Sequence, residues 1–172
     1  MRKIIWFLVL VLIVSCEEKQ NESSEDVSQE EKTQSVISKI TIEKLEYQDY
    51  ILDIKAKELI HDWPKYQELM SQIELLKEAE FSFFKADKET IKALINDLKA
   101  EIPETVNSKP VKSRIVVVET SILKLHNELN LDNPKRDELL QSITEVLSAM
   151  SNLNLQVNKK IEFDANNIDR PE

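Results

Sequence analysis

An all-α fold is what this sequence predicts: an elongated antiparallel bundle of four to five helices with coiled-coil-like packing, preceded by a disordered tether. Three observations predict it. Glycine is absent from all 172 residues, and tight hairpins and close backbone approaches depend on glycine. The chain is rich in Glu, Lys, Leu and Ile, a composition that suits long helices. From residue 36 onward, the apolar residues recur at steps of three and four, the signature of one buried helical face.

Charge and composition also exclude several classes of function. Asp and Glu number 32 against 23 Lys and Arg, a net charge of −9. Nucleic-acid binding needs a basic surface that releases counterions, so no nucleic-acid partner is expected. Without glycine, neither a Walker-type phosphate loop nor a Rossmann fingerprint can be built. The chain has one cysteine, which excludes an intramolecular disulfide and a Cys-based zinc site.

That cysteine sits at a boundary. Arg2 and Lys3 precede residues 4–14, IIWFLVLVLIV, an unbroken apolar run. Eleven residues are too few to span a bilayer, which takes ~20, but they fit the hydrophobic region of a secretory signal. The run ends in Ile13-Val14-Ser15-Cys16. This resembles the lipobox of bacterial lipoproteins: an aliphatic residue, a free position, a small residue, then cysteine. The resemblance covers residues 1–16. It implies that the signal is cut before Cys16, that the thiol carries diacylglycerol, and that the new amino end is acylated. Cys16 is then the lipidation site and the lipid bilayer a partner. The implied location is the cell envelope, lipid-anchored, in the outer membrane of a Gram-negative bacterium.

Residues 17–35, EEKQNESSEDVSQEEKTQS, hold seven acids, two lysines and one apolar residue, Val27. Such a segment buries too little surface to offset its ordering entropy, so a disordered tether is expected. Its acids resemble the short acidic signal that sends some Gram-negative lipoproteins to the cell surface. The expected organisation is a signal peptide over 1–15, lipidated cysteine and tether over 16–35, a helical bundle over 36–163 and a flexible tail over 164–172.

Within the bundle, residues 40–61 read as a first helix with two apolar sides. Leu45, Leu52, Ala56 and Leu59 lie on one; Tyr47, Ile51 and Ile54 lie nearly opposite. Such a helix is either sandwiched or has a face left for a partner. Pro64 marks a start or a kink, after which Tyr66, Leu69, Ile73, Leu76, Phe83 and Phe84 line one face. Asp87 is placed to cap a helix carrying Ile91, Leu94, Ile95 and Leu98, which ends before Pro103. Ser108 caps the next, with Pro110 in its first turn. Val111, Ile115, Val118, Ile122, Leu125 and Leu129 form its seam. After Pro134, Leu139, Ile143, Val146, Met150, Leu153, Val157 and Ile161 repeat the pattern. A short connection between two seamed helices implies an antiparallel hairpin.

Candidate chemistry is sparse. Glu58 and His61 match the Glu-x-x-His spacing of di-iron bundles, but His126, the other histidine, has Leu123 where the second glutamate should stand. No metal or cofactor is therefore expected. Neither histidine carries a signature linking it to a serine, so no catalytic residue is assigned and the chain is read as non-enzymatic. Lys109, Lys112 and Arg114 gather at a helix start, where they could hold an anion or an acidic partner; pairing with Glu101 and Glu104 is the plainer reading. The last helix has a long uncharged polar face of Gln141, Ser142, Thr144, Ser148, Ser151, Asn152 and Asn158. The leading expectation is a lipoprotein that presents its bundle to an envelope protein. The alternative is a bundle that binds a small ligand, an anion or a metal.

Overall fold

The computed structural model describes residues 37–166. Among them the regular structure is helical throughout, and four helices make the bundle: α3 (Pro64–Lys77), α5 (Lys88–Ala100), α6 (Lys109–Leu129) and α7 (Arg136–Asn166). Three short helices accompany them: α1 (Lys39–Glu43), α2 (Ile54–Leu59) and α4 (Ser82–Lys85). Helix α6 packs antiparallel along α7, α5 packs on α6, and α3 packs on α5. With 31 residues, α7 rises about 46 Å and runs to Asn166, past residue 163.

The seams of the long helices are buried. In α7, Ile143, Val146, Leu153 and Val157 have no exposed surface, nor do Val111, Ile115, Val118, Ile122 and Leu125 in α6. Ser108 accepts a hydrogen bond from the Val111 N–H, which caps α6. Pro64 opens α3 at its first position, where a missing N–H leaves nothing unsatisfied. Asp87 stands at the N-cap of α5, yet its carboxylate makes no cap hydrogen bond.

Helix α3 closes without glycine. Ala79 takes φ 61°. The N–H of Glu80 then reaches the Leu75 carbonyl and the N–H of Ala79 that of Leu76, which is the Schellman closure of a helix end. The turn separates Tyr66, Leu69, Ile73 and Leu76 from Phe83 and Phe84, so the face read as continuous lies on two helices.

The expected first helix over 40–61 is a correction. Helix α1 stops at Glu43 and α2 begins only at Ile54. The residues between form an irregular strap across the bundle. In the strap, Leu52 is buried and Leu45 and Tyr47 are half-buried, while Ile51 stays 70% exposed. The strap's backbone groups find partners on the polar face of α7.

Candidate functional site

Ser151, Asn154 and Asn158 stand three and four residues apart on α7, so they form one stripe beside the apolar seam. Ser151 Oγ accepts from the Tyr50 N–H at 2.7 Å and donates to the Gln48 carbonyl. Asn154 Nδ2 donates to the Tyr50 carbonyl at 3.0 Å. Asn158 Nδ2 donates to the Ile51 carbonyl at 2.8 Å, and its Oδ1 accepts from the Asp53 N–H at 3.0 Å. From Ser151 to Asn158 the helix rises about 10 Å, a distance that an extended chain covers in about three residues. That interval separates the partners of the two side chains, so the strap and α7 stay in register.

Asn154 ties the strap to the core. Its Oδ1 accepts from the Tyr66 hydroxyl at 2.6 Å, and both side chains are buried. Burial pushes the Tyr66 phenol well above the ordinary tyrosine value. The Tyr66 ring stacks on Trp63, with centroids 5.3 Å apart, and the Trp63 indole N–H donates to the Leu98 carbonyl at 3.1 Å. One chain of contacts thus runs from the strap through α7 and α3 to α5.

Between the strap and α3 lies a slot of about 380 Å³, lined by Asp49, Ile51, Leu52, Lys57, Tyr66, Gln67, Met70, Glu74, Lys77 and Asn154. Its floor is apolar with one buried amide, and its rim carries two acids and two lysines. Lys77 lies 3.0 Å from Glu74 and 3.7 Å from Asp49. Burial alone would lower the Lys77 ammonium, but the Glu74 hydrogen bond, Tyr47 and Asp49 outweigh it and hold its pKa above the usual lysine value. Burial raises the Tyr47 phenol beside them.

A second concavity, of about 450 Å³, lies between α6 and α7. Val116 and Val117, each about half exposed, line it with Thr120, Thr144, Ser148 and Asn152. Lys124 bridges to Glu145 here at 2.8 Å. This hydrogen bond raises the Lys124 pKa and lowers that of Glu145. The polar face of α7 is therefore divided: Ser151 and Asn158 serve the strap, while Thr144, Ser148 and Asn152 face this groove.

The residues singled out from sequence are placed as follows. Cys16 lies outside the described residues, as do the signal, the tether and residues 167–172. Lys109, Lys112 and Arg114 are exposed on α6. At 100° per residue, Arg114 points about 160° away from Lys112, so the three do not converge. None of them forms an ion pair among the described residues, and neither Glu101 nor Glu104 pairs with them. The His61 Nδ1 lies 2.8 Å from the Glu58 carbonyl and its Nε2 2.9 Å from Asp62, at a site 71% exposed. His126 instead meets the Phe84 carbonyl at 3.1 Å, in the contact between α6 and α4. No group of three or more His, Cys, Asp or Glu is placed to hold a metal among the described residues. Sequence reasoning missed Asn154. Its signal was there: an amide three residues after Ser151 and four before Asn158, next to a buried seam.

Compared with protein-family models, curated proteins and solved structures, the chain matches none of them.

Proposed function

We propose that this chain is a lipid-anchored lipoprotein of the cell envelope, seated in the outer membrane of a Gram-negative bacterium, which presents its helical bundle for contact with another protein. The observation that carries this reading is the joint occurrence of Arg2 and Lys3, the apolar run over 4–14 and the Ile13-Val14-Ser15-Cys16 sequence. Each buried methylene of an acyl chain contributes about 0.8 kcal/mol, and two or more chains hold a protein stably on a bilayer. No helix among the described residues is long and apolar enough to cross a membrane, so Cys16 is the attachment this reading relies on.

The bundle's part is non-enzymatic. Two concave surfaces with apolar floors, one at the strap and one between α6 and α7, support a binding role. The experiment is metabolic labelling with radioactive palmitate. The wild-type chain takes up label and sediments with membranes, and Cys16→Ser loses both properties. Label retained by Cys16→Ser overturns the reading.

A further inference from the structure

We propose that residues 37–59 form a load-released arm. Tension drawn through Cys16 peels the arm from the bundle, lengthens the connection to the membrane and opens the slot between the strap and α3, while α3 and α5–α7 stay folded. This rests on the lipid anchor of the reading above and adds a regulation of one of its two binding surfaces.

The arm comprises α1, the strap and α2, and in chain order it stands between Cys16 and the bundle. Its hold on the bundle is shallow. Four of its 23 residues are buried, Ile37, Ile42, Leu52 and Ala56, against twelve of 31 in α7. Residues 46–52 make no main-chain to main-chain hydrogen bond among the described residues. The side chains of Ser151, Asn154 and Asn158 hold them instead. Two partly exposed ion contacts add to these ties, Lys39 to Glu78 at 2.7 Å and Lys77 to Asp49 at 3.7 Å. Few buried apolar side chains and bonds within reach of water mark the segments that open before the whole.

The point where release stops is also set. Ile60 and Trp63 have no exposed surface, and the Trp63 indole N–H donates to the Leu98 carbonyl at 3.1 Å. The chain is thus pinned to α5 just before α3 begins. With lipid holding Cys16 and a partner holding the bundle, load enters at residue 37. It meets the ties of the arm one after another, whereas past Trp63 it meets the shared seams of the long helices together. Helices α1 and α2, five and six residues long, are far shorter than the ~12–15 residues an isolated helix needs. The freed arm therefore keeps neither, and it extends to about 80 Å at most. The arm also walls the slot, which Asp49, Ile51, Leu52 and Lys57 line from one side. The docked arm completes that surface, and the released arm takes the wall away.

The test pulls on the full chain in optical tweezers, with one DNA handle on Cys16, its single cysteine, and the other on Glu172. A handle on the thiol makes the measurement independent of lipid. Two steps are expected: a small reversible one that frees the 23 residues of the arm, then a large cooperative one for the bundle. Asn158→Ala removes the bonds to Ile51 and Asp53 and raises the rate of the first step at fixed load by about tenfold. Lys39→Glu, at an exposed site, raises it by about two- to fivefold. Neither variant moves the second step, which also shows that both are folded. A single step that frees arm and bundle together overturns the proposal, as does a first step that both variants leave unchanged. Palmitate labelling of the chain made in cells reads the anchor separately. A labelled chain with a single step loses the arm and keeps the anchor. Two steps in an unlabelled chain remove the anchor and, with it, the load that the proposal requires.

Discussion

Ala79 shows what a chain without glycine must accept. It ends α3 in the left-handed region, where a Cβ costs about 1–2 kcal/mol that glycine avoids. Ala79→Gly is expected to stabilise the protein by about 1 kcal/mol, measured as a raised denaturation midpoint with an unchanged slope. Tyr66 gives a pH signature. Its folded pKa lies above the unfolded phenol value of about 10, because burial disfavours the phenolate. The stability from burying the neutral ring is therefore complete below about pH 10, and it is lost as pH rises through the folded value. Phenolate absorbance is expected to show one of the three tyrosines ionising only together with alkaline unfolding. In the Tyr66→Phe variant that delayed step disappears. These residue-scale features differ in how legible they were. The absence of glycine was plain, but which residue would take positive φ was not. Nothing local to Ala79 distinguishes it; the Schellman bonds form only once Glu80 turns back on Leu75.

At the scale of elements, the long helices were legible because one periodicity governs each. The seams of α6 and α7 are buried as their spacing required, and Ser108, Pro64 and Pro110 stand where cap and first-turn chemistry put them. The strap was not legible. Its residues fit a helix with two apolar sides, and a local pattern does not contain the polar stripe of α7, about a hundred residues away, that satisfies an irregular backbone instead. Seen from α7, the uncharged face suggested a soluble surface or a contact, and two of its seven residues, Ser151 and Asn158, make a contact within the chain. The strap should behave as a unit of its own, tied by side-chain bonds at Ser151, Asn154 and Asn158 and by one buried residue, Leu52. Tyr50→Pro removes the N–H bonded to Ser151. It is expected to destabilise the protein by about 1–3 kcal/mol, with faster amide exchange over residues 48–53 and unchanged protection in α6. Protection lost equally in both would show that the strap is part of the bundle's cooperative unit. The cation cluster read at the start of α6 also belongs to this scale. Lys109, Lys112 and Arg114 are close in sequence, but the turn of the helix carries Arg114 away from Lys112.

For the whole molecule, the account joins an anchor to a presenting surface. The proposed anchor rests on order along the chain alone: a basic pair, an apolar run, then cysteine. The slot was not legible in the sequence, because its walls come from residues 49–57, 66–77 and 154, which only the fold brings together. With residues 1–15 removed, the proposed mature chain has 21 Lys and Arg against 32 Asp and Glu, a net charge of −11, which favours solubility at a surface. All of this depends on Cys16 being the first residue of the mature chain. Intact-mass measurement of the protein purified from membranes tests that most directly. The account predicts a chain that begins at Cys16 and carries the added mass of diacylglycerol with a further acyl group on its amino end. A chain that retains residues 1–15, or one that begins at Cys16 without lipid, would contradict it.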